Sequence, residues 1–285
     1  YFRSGKAGTL TETVRMEPEI PDLIVENFVK SANINSDEAY FYGAPFSNNR
    51  YVTGEIPAKK DEFAVKGDIP NPALLLAQHF QAQLITSGVK ITDNAKVESN
   101  LNCKKFVIYS HFSPLLSEII TETNITSNNL YAEYLFKYLA VKNNQPASIE
   151  FAIKNIREFW KSRGLPVDEL FQVDGSGLSP VNAVSAHFFV EMLTYMQNKS
   201  KYASYFYNSL PVSGESGTLK SFLNNSTLKG KVHAKSGTIA GVKTYTGYIE
   251  CPDKTLVFAL LINNANGSTR EVTKKMEEFL ENIAK

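Results

Sequence analysis

Cysteine is scarce in this chain, and so are tryptophan, net charge and long apolar runs. The two cysteines, Cys103 and Cys251, are too few for a disulfide framework and show no metal-ligand spacing. They read as two free thiols, with a mutual pairing left open, and they do not fix the compartment. Lys plus Arg number 30 against 29 Asp plus Glu, a net charge of +1. That balance excludes the broad basic footprint expected of a nucleic-acid or anionic-membrane binder. No apolar run reaches the length of a bilayer span. A basic-then-apolar leader is also missing, and the first residue is Tyr1, so the chain is expected to be a mature, processed or truncated product. Internal repeats and low-complexity segments are lacking as well.

What is present is core-forming material. Hydrophobic residues make up 43% of 285 and aromatics 12%, which argues against disorder and for one large or two unequal domains. Residues 1–68 read as β-rich. Short runs at Leu10–Met16, Leu23–Val29, Ala39–Gly43 and Arg50–Ile56 are separated by Gly, Pro, Asn and Ser clusters.

From 69 to 285 helical periodicity dominates. Asn71-Pro72 predicts a helix start, with Leu75, Leu76, Phe80 and Leu84 inward and Gly88 at its end. Phe106–Tyr109 reads as a strand. Ser113-Pro114 predicts a second helix, burying Leu115, Leu116, Ile119 and Ile120. A third follows Ser127-Asn128-Asn129, with Leu130, Tyr134, Leu135 and Tyr138 on one side. Ser148 and Ser185 cap two more, and a last one presents Val272, Met276, Phe279, Leu280 and Ile283. Strand-like runs around Val232–Val242, Lys243–Glu250 and Thr255–Ile262 precede it. The pattern predicts an α+β fold, with helices packed on a mostly antiparallel sheet.

Three stretches could carry chemistry. Lys235-Ser236-Gly237-Thr238 puts a point charge, two hydroxyls and a glycine on a strand. Such a strand edge suits a carboxylate ligand whose backbone must come close. Ser127-Asn128-Asn129 reads equally as a helix N-cap, and the second copy at Ser47-Asn48-Asn49 reads as a loop. In Asp174-Gly175-Ser176-Gly177-Leu178-Ser179 the glycines adjoin Ser176 directly, unlike a nucleophile elbow, so a tight loop held by Asp174 is expected.

Taken in order, these segments resemble a known family. Ser-x-x-Lys, Ser-Asp-Asn and Lys-Thr-Gly are signatures of penicillin-binding proteins and class A β-lactamases. Here Ser127-Asn128-Asn129 is similar to the second and Lys235-Ser236-Gly237 to the third, each with one substitution. His111–Ile119, Asp174–Ser179 and Leu210-Pro211-Val212-Ser213-Gly214 resemble the D-alanyl-D-alanine carboxypeptidase/endopeptidase branch, the low-molecular-mass class C penicillin-binding proteins. The resemblance covers roughly residues 70–285 and implies a β-lactamase/transpeptidase-like domain. The β-rich start would be the remnant of a domain inserted in this branch.

The resemblance implies serine acyl transfer on peptidoglycan stem peptides, trapped by β-lactams, without metal or cofactor. It assigns Ser127 to proton transfer, Asn129 to the substrate amide and Lys235 to the terminal carboxylate. Ser236 and Thr238 would be hydroxyl ligands, and Gly237 would admit the substrate along the strand. It also implies a periplasmic or cell-wall-facing location.

The family's Ser-x-x-Lys nucleophile is the departure. Ser87-Gly88-Val89-Lys90 straddles a helix-ending glycine, and Ser226-Thr227-Leu228-Lys229 comes in the wrong order. The chain is therefore expected to be a C-terminal portion carrying two of three active-site walls and exposing apolar surface. The alternatives are a non-catalytic binder of peptidoglycan peptides, or an esterase using Ser176 with His111, His187 or His233.

Overall fold

The computed structural model describes residues 1–98, 106–239 and 241–285, so Cys103 lies outside the described residues. The chain divides into two compact units, Tyr1–Ile108 and Tyr109–Lys285. The helix that starts at Pro72, expected with the larger domain, groups with the first.

In the first unit, β1 (Phe2–Arg3) pairs with β2 (Glu12–Thr13). The longer β3 (Ile24–Ala32), β4 (Glu38–Tyr42) and β5 (Asn49–Pro57) form a sheet in the order β3-β5-β4. Burial alternates strictly along β3 and β4, so one face is core and the other solvent. Phe2, Val29, Ala39, Val52 and Ile56 fill the core face, with Phe41, Phe63 and Val65 packed against them. Arg50 is also inward, its side chain 1% exposed. Its guanidinium donates to Asp68 and to the carbonyls of Ala44, Ser47 and Asn49. Helix α1 (Pro72–Thr86) starts on an Asn71 cap with Pro at its first position and stops at Gly88, whose φ is +87°.

The second unit begins with α2 (Leu116–Thr126), α3 (Asn129–Lys142) and α4 (Ile149–Lys161). The short strands β6 (Leu170–Phe171) and β7 (Ala183–Val184) pair before α5 (Ala186–Asn198) and α6 (Ala203–Ser209). Then β8 (Val232–Ile239), β9 (Val242–Cys251) and β10 (Lys254–Ile262) form an antiparallel meander, closed by α7 (Thr269–Ile283). The serines expected as caps, Ser148 and Ser185, accept from Phe151 N and Phe188 N.

The meander is sandwiched between helices. Val232, Ala234, Tyr245 and Ile249 on one face pack with Val272, Met276 and Leu280 of α7. On the other, Tyr248 packs with Leu193 of α5 and donates its hydroxyl to the Leu193 carbonyl at 2.8 Å. The mixed α+β architecture agrees with the pattern of the sequence. At Gly247 the strands β8 and β9 approach closely: a Cβ there would lie 2.1 Å from the His233 carbonyl oxygen.

Several expected elements differ. Phe106–Tyr109, expected as a strand, lies outside the named strands, and its residues are 77–98% exposed. The second helix starts at Leu116, not at Ser113. Glu118 accepts from the Leu115 N–H at 3.0 Å, while the Ser113 hydroxyl turns to the Pro114 carbonyl. Leu115 and Leu116 are exposed in consequence. Helix α3 buries Phe136 and Ala140 and exposes Leu130, Tyr134 and Tyr138. A Cβ on Gly175 would fall 2.4 Å from the Phe136 Cβ, so the glycine loop seats on that stripe instead.

Candidate active site

The site grows from a break between two helices. Ser127 ends α2 in the left-handed region (φ 54°, ψ 48°), and Asn128 caps α3 by accepting from Tyr131 N at 3.0 Å. The capping reading of the triplet therefore belongs to Asn128. Ser127 is freed from that duty, and a left-handed non-glycine residue is uncommon enough to mark a constrained position. Asn129 opens α3 and is exposed.

The facing wall is β8. Ser127 Oγ accepts from Lys235 Nζ at 2.7 Å, across 108 residues of sequence. Lys235 Nζ also donates to the Ser236 carbonyl at 2.8 Å. Burial, followed by the charge of Lys243, pushes the Lys235 ammonium down from 10.5 to about 8. It is thus a cation with little water around it, poised to release a proton.

A polar loop holds the walls in register. Asn124 of α2 donates to buried Ser209 at 2.8 Å. Buried Ser213 donates to the Leu228 carbonyl and accepts from Val232 N. The 3-10 turn Gly217–Leu219 then passes so close to α2 that a Cβ on Gly217 would sit 2.4 Å from the Ile125 carbonyl. Thr218 Oγ1 on this turn accepts from Ser236 Oγ at 2.8 Å.

The edge of β8 is half occupied. Ser213 N donates to the Val232 carbonyl and Ala234 N to the Pro211 carbonyl. In an antiparallel strand alternate residues turn their backbone groups the same way. Ser236 and Thr238 therefore present N–H and C=O on that same edge, beyond the stretch that the Pro211–Ser213 segment covers. Thr238 Oγ1 accepts from Lys243 Nζ at 2.7 Å. Gly237 has no Cβ where Thr244 Oγ1 would stand 2.6 Å away.

The structure thus brings Ser127, Lys235 and Ser236 together, with Asn129, Gly237 and Thr238 adjoining them in the chain. Sequence reading missed Thr218 and Lys243. A Gly-Thr pair inside a polar loop and a lysine opening β9 were the available signals, but only the register Thr238↔Lys243 connects the second to the site.

Other candidates do not assemble. Ser176 Oγ accepts from Leu178 N, while His187 pairs with Glu169 and His233 stacks on Tyr207. The Asp174 carboxylate accepts from Gly177 N, Ser179 N and Asn182 Nδ2, the tight loop that was expected. Of the two Ser-x-x-Lys strings, Ser87 is the C-cap of α1 with Lys90 beyond Gly88, and Ser226–Lys229 lies in turns. Neither puts serine and lysine on one helical face.

Residues 4–283 match the D-Ala-D-Ala carboxypeptidase 3 (S13) family. The chain belongs to that family. It is 30% identical over 229 residues to the D-alanyl-D-alanine carboxypeptidase of an Actinomadura species, covering 78% of this chain and 42% of that protein. To the penicillin-sensitive carboxypeptidase A of Dictyostelium discoideum it is 27% identical over 249 residues, 82% of this chain and 46% of the relative. The chain thus spans less than half the length of these curated relatives. Its fold resembles penicillin binding protein 4 (dacB) of Haemophilus influenzae, solved in complex with a β-lactam. The TM-score is 0.81 at 18% identity, over all of this chain and 68% of the other.

Proposed function

We propose that this chain supplies two walls of a serine D-Ala-D-Ala carboxypeptidase site acting on peptidoglycan stem peptides. The hydrogen bond from Lys235 Nζ to Ser127 Oγ, set beside an open strand edge, is the observation that supports it most. In this reading the acylated serine belongs to a Ser-x-x-Lys segment outside the residues given. β-Lactams would acylate the same serine, and the workplace would be the periplasm or the cell-wall face.

The roles follow from the chemistry. The terminal carboxylate of the substrate meets the Lys235 ammonium and the hydroxyls of Ser236, Thr238 and Thr218. The peptide lies along the β8 edge, where the Thr238 N–H would donate to the carbonyl under attack and to its oxyanion. Asn129 hydrogen-bonds the substrate amide. When the serine attacks, its proton passes to the lysine of its own Ser-x-x-Lys segment, and as the C–N bond breaks the departing D-alanine nitrogen takes the proton of Ser127 Oγ. Ser127 recovers one from Lys235 Nζ, and an ammonium held near 8 gives it up at little cost. The proton that the segment's lysine took then returns through Ser127 to Lys235. Water next bonds to the ester carbonyl carbon, and its proton passes by way of the segment's lysine to the departing serine oxygen.

Intact-mass spectrometry after incubation with a β-lactam is the test, made on the longest natural product that contains this chain. Stoichiometric acylation is expected, slowed by roughly 100-fold or more in Ser127→Ala and Lys235→Ala that remain folded. Acylation at the unaltered rate in both variants would remove the proton-transfer role. Acylation of Ser176 would transfer the chemistry to a different site.

A further inference from the structure

The first unit carries a surface that the acyl-transfer chemistry does not use. Strand alternation turns every second residue of β3, β4 and β5 to solvent, and the register aligns them in rows. Glu26, Tyr51 and Tyr42 form one row; Phe28, Thr53 and Tyr40 form the next; Lys30, Glu55 and Glu38 form the third. The four rings are 45–61% exposed. Tyr42 and Tyr51 stack with centroids 5.1 Å apart and planes 15° from parallel. Ile24 extends the patch at one end.

Four half-exposed rings on a sheet face are a cost unless something covers them. The composition of the face narrows what that is. Three carboxylates against one lysine repel phosphate, so nucleic acid and anionic lipid are poor occupants. Thr53 stands in the middle of the rings and carboxylates line the rim, which interrupts the continuous apolar surface a protein partner buries at its core. Rings with hydroxyl tips, flanked by hydrogen-bond acceptors, suit a ligand with apolar C–H faces and a rim of O–H and N–H donors. A pyranose ring has that chemistry. Strand spacing makes each row about 10 Å wide and sets the two aromatic rows about 7 Å apart, room for about two sugar rings.

We propose that the solvent face of the β3-β5-β4 sheet is a glycan-binding platform, taking neutral pyranose rings across Phe28, Tyr40, Tyr42 and Tyr51. That the glycan is the peptidoglycan strand rests on the function proposed above. A second contact on the same polymer would raise the effective concentration of stem peptides around the enzyme.

The test uses the longest natural product that contains this chain and N-acetylglucosamine oligomers, followed by the NMR shifts of labelled tyrosine rings. Saturable shifts confined to Tyr40, Tyr42 and Tyr51 are expected. Binding should weaken roughly tenfold or more in Tyr42→Thr/Tyr51→Thr, whose replacements suit an exposed strand. Should that variant fail to fold, the ring shifts of the unaltered chain still decide the matter. β-Lactam acylation of the longer protein should be the same with and without the two threonines, so the failure of one reading is distinguishable from the failure of the other. Absence of saturable shifts at millimolar sugar would overturn the proposal. So would oligolysine binding at these rings without sugar binding, or a dimer in sedimentation that the threonines dissolve.

Discussion

Replacing Lys235 by methionine should make the protein more stable and its site useless. The unfolded chain holds a proton on this lysine up to its ordinary value of 10.5, whereas the folded chain holds it only to about 8. Below pH 8 both states are charged and the folded one bears the whole cost of desolvation. Between 8 and 10.5 the unfolded state binds more proton, so stability rises with pH until the penalty is gone. The gap is worth about 3 kcal/mol at 1.36 kcal/mol per pH unit. Methionine keeps the length of the side chain and removes the charge. It also leaves the Ser127 hydroxyl and the Ser236 carbonyl without the lysine, a loss of about 1 kcal/mol because water reaches the open edge. A net gain of about 2 kcal/mol at pH 7 results, readable as a rise in Tm of about 5 °C. Urea unfolding of both proteins at pH 6, 7, 9 and 10.5 checks it. The advantage should be constant up to about pH 8 and shrink above it. A variant less stable at pH 7, or a difference indifferent to pH, would refute the account of Lys235 as a desolvated cation.

Three further outcomes test the frame around the site. Gly247→Ala should cost about 3 kcal/mol in urea unfolding, because its Cβ would meet the backbone of β8 at 2.1 and 2.6 Å and neither strand can yield. Arg50→Ala should destabilise the first unit by about 2–3 kcal/mol, taking the guanidinium from the carbonyls of Ala44, Ser47 and Asn49, and Arg50→Lys should recover only part, since one ammonium cannot reproduce the fork. Asp174→Ala should release the loop 174–182 for limited proteolysis while α7 stays protected in hydrogen exchange, as the carboxylate alone gathers three donors there.

Local chemistry was the legible part of the sequence. Asn71-Pro72, Ser148 and Ser185 name their helix starts because a cap is satisfied within three residues, and the Lys235 strand is bounded by a meander of plain strand formers. The chain failed to reveal what depends on distant partners. Phe106–Tyr109 has the composition of a strand, but composition does not say which backbone groups lie alongside it. The stripe of α3 was misjudged because Leu130, Tyr134 and Tyr138 look more apolar than Ala132 and Ala140. Gly175, some 40 residues later, decides which side is covered. In the site, the Lys-Ser-Gly and Ser-Asn-Asn segments could be found by residue type. The left-handed turn at Ser127 and the reach of Thr218 could not, since both are set by how α2, the Gly217 turn and β8 are stacked.

Gly217 deserves a last consequence. With only a hydrogen where other residues carry a methyl group, it acts as the missing shim in a gauge whose jaws are Ser127 and Lys235. An alanine there would have to open the fitting by about 1 Å to relieve its 2.4 Å approach to Ile125. The 2.7 Å bond between the jaws has no such slack. Cleft width in this protein is therefore dimensioned by an atom that is not there. Substitutions at the back of the loop should change what fits between Ser127 and Lys235 before they change how tightly the fold holds.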